Sequence, residues 1–128
     1  MVLTENLKLV ALGNPLLDMQ VRDGQEVLQK YGLKSNDAVL ASPEQLSIYG
    51  HLVENYQVTY VAGGAAQNTA RCAQYVLPQD STAYLGCVGN DDLAQQLRAA
   101  NEREGVQSVY PVVNDTPTGS CAVVITGH

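Results

Sequence analysis

Apolar and polar positions along the chain fall into short blocks that punctuate cleanly at glycine and proline. Lys8 to Leu12 is an apolar run closed by Gly13-Asn14-Pro15, which predicts a buried strand ending in a turn. Leu16 to Val21 predicts a second extended segment, with Asp18 alternating against Leu17 and Met19. Gln25 to Tyr31 predicts a short helix, with Gly32 as its C-terminal glycine and Leu33 as the apolar contact beyond it. A brief strand over Ala38 to Ala41 follows Asn36-Asp37. Ser42-Pro43-Glu44-Gln45 is a helix start, with serine as N-cap, proline at the first position and glutamine at the third to close a capping box. Leu46, Tyr49, Val53 and Tyr56 then recur at helical spacing and predict a core stripe, leaving His51 at the surface.

The second half repeats the alternation. Val58 to Ala62 predicts a strand that runs into Gly63-Gly64, and Ala65 to Leu77 predicts a helix ended by Pro78. Its narrow face, Ala66, Ala70, Ala73 and Leu77, suits close packing on a sheet, with Thr69 and Cys72 at its flanks. Ala83 to Cys87 predicts the next strand. Gly89-Asn90-Asp91-Asp92 then opens a helix through Leu93, Leu97 and Ala100 that stops at Gly105. Ser108 to Val113 predicts a strand, Asn114 to Pro117 a turn, and Gly119 to Ile125 a last strand before the chain stops at Gly127-His128, an abrupt place to end a domain.

With 128 residues the chain suffices for one ordinary domain and not two. Thirteen acidic residues against seven basic ones leave a formal charge of -6, and no basic run exists to neutralise phosphates, which argues against a nucleic-acid partner. Cys72, Cys87 and Cys121 are widely spaced and lack zinc-site spacing, so buried reduced thiols are expected. No apolar run of leader or membrane-spanning length is visible, and the expected compartment is the cytoplasm, with the nucleus as the alternative.

The chemistry concentrates at Val61 to Arg71, where a glycine pair joins a strand to a helix carrying Gln67, Asn68 and Arg71. Glycine allows a sharp turn and close approach of a ligand, and the free N–H groups at the start of the helix suit an oxygen-rich molecule such as a sugar or phosphate. A tight strand-to-helix crossover is the plain structural reading of the same residues. Asp18 taken alone reads as a solvated carboxylate. Asp91-Asp92 could suggest magnesium but reads better as a complement to the positive end of the helix.

Three segments together resemble one family. The glycine pair is similar to the signature with which the ribokinase (PfkB carbohydrate kinase) superfamily binds the sugar of its phosphoryl acceptor. Gly13-Asn14-Pro15-Leu16-Leu17-Asp18 resembles the opening motif of the adenosine kinase branch. Pro117-Thr118-Gly119-Ser120-Cys121-Ala122, running on to Ile125-Thr126-Gly127, resembles a third segment of that branch. The order and spacing match, over essentially the whole chain but only the N-terminal part of the family's usual length. The resemblance implies an α/β, ribokinase-like fold: part of a Rossmann-like core sheet interleaved with strands of a small β lid, truncated before the catalytic half. Residues around 14–41, 58–62 and 117–127 are expected in the lid and the remainder in the large domain.

By the same resemblance Asp18 would hold the ribose hydroxyls, Asn68 would donate and accept at the same ribose edge, and Asn14 would support it. Gly63 and Gly64 would admit the sugar, while Leu16, Leu40 and Cys121 would face the base. Ala38 and Ala65 depart from some relatives, which affects only the shape of that pocket. The implied reaction is transfer of the ATP γ-phosphate to the adenosine 5′-hydroxyl, with ATP and Mg2+ expected for the complete protein. The family's general base and anion hole come from a later Asp-Thr-x-Gly-Ala-Gly-Asp motif that is not in this sequence, so no catalytic residue is expected in this chain, which alone should be inactive. The expected partners are adenosine and a C-terminal half of the kinase, the complete protein being a monomer, with no nucleic acid or membrane involved. Two alternatives stay open: a truncated, non-catalytic nucleoside-binding module, and a ribokinase-like kinase of another sugar or nucleoside. A dinucleotide-binding oxidoreductase is disfavoured because no Gly-x-Gly-x-x-Gly follows the first strand.

Overall fold

A computed structural model describes residues 6–127. In chain order these form β1 (Leu9–Leu12), β2 (Leu16–Arg22), α1 (Gln25–Tyr31), a 3-10 turn over Pro43–Gln45, α2 (Ile48–Asn55), β3 (Thr59–Gly63) and α3 (Ala65–Val76). They continue with β4 (Thr82–Leu85), β5 (Val88–Gly89), α4 (Asp92–Arg103), β6 (Val106–Val109), β7 (Val112–Val113) and β8 (Ser120–Ile125). Three sheets result, of order β1-β4-β6, β3-β2-β8 and β5-β7. The described residues divide into two compact units. One holds the residues up to Asp18 with Tyr60–Cys121, the other Met19–Thr59 with the residues from Ala122 on.

In the first unit β1, β4 and β6 are parallel, with Leu9 opposite Thr82 and Thr82 opposite Val106. Alternation of side chains puts Leu9, Ala11, Tyr84 and Val106 on one face. There they pack with Ala70 of α3 and with Ala94, Leu97 and Ala100 of α4. The alanines let both helices approach the sheet closely. Val10 and Leu12 fall on the opposite face, where Leu12 is 75% exposed. A parallel sheet is normally covered on both faces, so this is an apolar surface of the kind that ordinarily packs against further structure.

Two expected strands differ. The strand expected over Ala83 to Cys87 ends at Leu85 as β4, and β5 follows beyond Gly86-Cys87 as a separate two-residue strand. Ser108 to Val113 becomes β6 and β7, parted at Tyr110-Pro111, where proline brings no N–H to a ladder. The small-residue face of α3 also differs from the pattern, because Gln67 and Gln74 are buried on it. Gln74 is fully employed: its Oε1 accepts from the Ser81 and Thr82 N–H groups and the Thr82 hydroxyl, and its Nε2 donates to Pro78 O at 2.9 Å. A periodicity count cannot anticipate a buried glutamine whose partners come from the following loop. The cysteines correct the expectation too, since Cys72, Cys87 and Cys121 are exposed thiols.

The second unit is built on Val21, Val27, Ile48 and Leu52, with Tyr31, Tyr49, Tyr56, Val58 and Val124 packed around them. Helix α1 ends as expected at Gly32, with the Leu33 N–H returning to Leu28 O at 2.8 Å. The capping box at Ser42 forms, the Gln45 Oε1 accepting from the Ser42 N–H at 3.0 Å, but it opens a 3-10 turn rather than a continuous helix. The tighter turn shifts the phase of α2 behind it. Ile48 and Leu52 therefore point inward while Leu46 and Val53 of the expected stripe are exposed. Residues 38–41 form no paired strand and are largely exposed. His51 is half-buried rather than superficial, its ring lying between Tyr31 and Tyr56 with Nδ1 3.0 Å from Lys30 Nζ.

Asp91 is the N-cap of α4, as its position before the helix suggested, accepting from the Ala94 N–H at 2.9 Å. It also takes the Thr118 N–H at 2.8 Å and the Thr118 hydroxyl at 2.6 Å, while that hydroxyl accepts from the Gly89 N–H. Burial opposes the Asp91 carboxylate, but the bonds from Thr118 and Ala94 outweigh it and hold its pKa below the ordinary carboxylate range. A depressed pKa contributes stability above the unfolded-state value that is lost as pH falls through the folded one. Asp91→Ala is expected to lower unfolding stability by about 1–3 kcal/mol at neutral pH. Denaturant titrations at pH 7 and below about pH 4 check this, because the gap between wild type and variant should close in acid.

Candidate functional site

The three sequence motifs meet in the first unit. Gly64 adopts φ +94, a region open essentially to glycine, and a Cβ there would stand 2.8 Å from Asn14 O. Gly63 is required for a different reason. A Cβ added to it would lie 2.5 Å from Asp18 Oδ2 and 2.6 Å from Oδ1, so the Asp18 carboxylate rests directly on the Gly63 backbone. The opening motif thus supplies both neighbours of the glycine pair. The third motif joins at the start of β2, where the Leu17 N–H donates to Gly119 O at 2.9 Å. A Cβ on Gly119 would meet Leu16 Cδ2 at 2.9 Å.

The turn is held from behind by α3. Gln67 Nε2 donates to Gly63 O at 2.8 Å and Arg71 Nη1 donates to Ala62 O at 2.7 Å. Residues 67 and 71 are four apart and so share one helix face. Asn101 of α4 and Glu104, the residue that ends it, back them. Asn101 Nδ2 donates to Gln67 Oε1 at 3.3 Å, and the Tyr110 hydroxyl donates to the same oxygen. Glu104 receives Arg71 Nε and Nη2, the latter at 2.8 Å, in a two-pronged ion pair. Two consecutive carbonyls at the end of β3 are therefore fixed by two side-chain chains running through both helices. Burial in this network pushes the Tyr110 phenol up to about 12, partly offset by its bonds to Ser108 and Asn101.

Arg71 reaches Asn68 as well, its Nη1 donating to Asn68 Oδ1 at 3.0 Å. Asn68 is exposed on the first turns of α3, and its N–H donates to Gly64 O at 2.8 Å. Burial raises the Asp18 pKa, and the nearby Arg71 charge partly opposes that rise. Burial, and then the charge of Asp18, likewise push the Cys121 thiol up.

Of the residues singled out in the sequence, Asn14, Leu16, Asp18, Gly63, Gly64, Asn68 and Cys121 thus share the first unit and gather around the glycine turn. Asn14 acts there through its backbone carbonyl. Leu40 belongs to the second unit, in the unpaired segment, where it is 98% exposed. Sequence reading assigned no role to Gln67, Arg71, Asn101, Glu104 or Thr118. The available signal was their spacing, a polar pair four apart on α3 facing one three apart at the end of α4. Among the described residues no three His, Cys, Asp or Glu side chains group to hold a metal ion, and Asp91 is occupied by its helix cap.

The model of the pfkB family carbohydrate kinases matches residues 25–128. An adenosine kinase of Schizophyllum commune is 61% identical over 121 residues, covering 94% of this chain and 35% of its own length. The structure of Trypanosoma brucei brucei adenosine kinase superposes with a TM-score of 0.87 at 34% identity, over 97% of this chain and 38% of that one. Anopheles gambiae adenosine kinase, solved in complex with P1,P4-di(adenosine-5) tetraphosphate, gives a TM-score of 0.79 at 40% identity, over 92% of this chain and 36% of that one. The chain spans about a third of the length of these relatives. The α/β architecture is accordingly that of part of a ribokinase-like fold, and the chain belongs to the pfkB family of carbohydrate kinases.

Proposed function

We propose that these 128 residues carry the nucleoside-binding part of an adenosine kinase, an enzyme that transfers the ATP γ-phosphate to the adenosine 5′-hydroxyl. The observation that carries this reading is the seat of Asp18 on Gly63, which presents a carboxylate at the turn where α3 begins. An ionised carboxylate accepting from two neighbouring hydroxyls makes charge-assisted bonds, the chemistry a ribose diol offers. The glycine at position 63 leaves room for the carboxylate, and Asn68 and Gly64 line the same edge. Leu16 and Cys121 supply surface for the base. Relatives of this chain bear the name adenosine kinase, at up to 61% identity among those compared.

On this proposal ATP, Mg2+ and the general base belong to the remainder of a protein of the relatives' length. The role of this chain is to bind and orient the acceptor so that its 5′-hydroxyl meets them.

The direct test is AMP formation from adenosine and ATP by the full-length protein, against a panel of other nucleosides and sugars. AMP formation with adenosine preferred is expected, and the 128-residue chain alone should form none. Adenosine binding without phosphorylation by the full-length protein would favour a non-catalytic binding module, and preference for another acceptor would favour a different kinase.

Two substitutions probe the site. Gly63→Ala drives a methyl into the Asp18 carboxylate, and Asp18→Ala removes it; each is expected to weaken adenosine binding roughly ten- to a hundredfold by calorimetry, the worth of about 1.5–3 kcal/mol. Asp18→Asn separates binding from stability. Because burial raises the Asp18 pKa, its ionised form opposes folding at neutral pH and that opposition vanishes as pH falls below the carboxylate range. Asp18→Asn should therefore lose adenosine affinity while melting no lower than wild type at pH 7, and the melting difference should narrow toward about pH 4.

A further inference from the structure

Arg71 spends its guanidinium in three directions. Nε and Nη2 are taken by Glu104, just past the end of α4, and Nη1 is shared between the Ala62 carbonyl and Asn68 Oδ1. An amide whose oxygen bonds a fixed cation has its orientation set, with the acceptor end on the cation's side and the donor nitrogen turned the other way, although the oxygen keeps a second lone pair. The guanidinium cannot turn away from Asn68 without breaking the forked pair with Glu104 and releasing Ala62 O. The Glu104 bond also leads the influences that raise the Arg71 pKa, so the group stays charged.

We propose that Arg71, locked by Glu104, is a positioning residue that fixes the amide of Asn68 with Oδ1 inward and Nδ2 toward the ligand, making Asn68 a hydrogen-bond donor. The inference rests on the adenosine reading of the site and narrows the role of Asn68 from donor and acceptor to donor alone. Asp18, the carboxylate beside the same guanidinium, is then the acceptor. One donor and one acceptor suit a vicinal diol, in which a hydroxyl can receive the Asn68 proton while donating its own to Asp18. Selectivity for ribose over deoxyribose nucleosides is accordingly set in part by two residues that do not touch the nucleoside.

The test measures adenosine, 2′-deoxyadenosine and 3′-deoxyadenosine binding by calorimetry in the full-length protein, alongside thermal melting. Asn68→Asp preserves an oxygen for Arg71 and replaces the donor by an acceptor, so adenosine affinity should fall at least tenfold while the melting temperature is kept. Arg71→Met frees the amide. It should cut the preference for adenosine over the more strongly rejected deoxynucleoside at least fivefold, leaving affinity for that deoxynucleoside within about twofold. Glu104→Gln should move the preference in the same direction by less, and Arg71→Lys should restore part of it. A purely structural role for Arg71 would weaken all three nucleosides alike. Wild-type affinity in Asn68→Asp, or an unchanged preference in Arg71→Met, would overturn the inference and leave the adenosine reading standing. Failure of the wild-type protein to bind any of the three would overturn both.

Discussion

The contact on which the site depends is that of a carboxylate with a backbone that has no side chain. Asp18 occupies the place a Cβ of residue 63 would take, within 2.6 Å of it. That single approach requires glycine at 63 and fixes where the strand β2 must lie against the end of β3. It also draws the carboxylate partly out of water, at a cost visible in its raised pKa. Gly64 answers a separate demand, the left-handed turn that clears Asn14 O and starts α3. The glycine pair therefore meets two distinct constraints.

A turn with two glycines is intrinsically loose, because glycine loses the most conformational freedom on ordering. Here the loss is countered by side chains of the helix that the turn itself begins. Gln67 and Arg71 take successive carbonyls, backed respectively by Asn101 of α4 and by Glu104, the residue that ends it. The Gln67 chain is buried and continues to Tyr110, whereas the Arg71 chain runs at the surface and ends beside Asn68. A buried hydrogen-bonded chain rigidifies, here with the Asn101 Oδ1 left unpartnered, whereas a surface pair tunes what faces solvent. The two relays thus have different uses, one holding the backbone and the other orienting an exposed amide. Thr118 does comparable work for the third motif, tying it to Asp91 and hence to the start of α4. Both ends of α4 consequently serve the site, although none of its residues is a candidate ligand contact.

Much of the fold was legible in the chain because its signals are local. Proline and glycine end the blocks, Asp91 caps α4, Gly32 closes α1, and the strands β1, β2 and β8 lie where apolar runs predicted them. The misses share a cause. Ile48 and Leu52 became core because a 3-10 turn shifted the phase of α2, and the strand expected at Ala38 to Ala41 found no pairing. Gln67 and Gln74 are buried because their polar ends meet partners distant in sequence or in a loop. Cys72 is exposed because a residue flanking a packed face can turn either way, and Cys87 because the strand expected to hold it ends at Leu85.

The sequence by itself determined the element types, the motif that joins a strand to a helix through two glycines, and the family to which such motifs belong. Those are properties of adjacent residues, whose backbone preferences act over a few bonds. Only the tertiary structure decided that Asp18 requires Gly63, that Asn14 acts at the turn through its carbonyl, and that Arg71 and Glu104 stand behind Asn68. Residues 18 and 63, or 71 and 104, are brought together by the packing of strands and helices. Their charges and hydrogen bonds act over a few ångströms of space, whatever the length of chain between them.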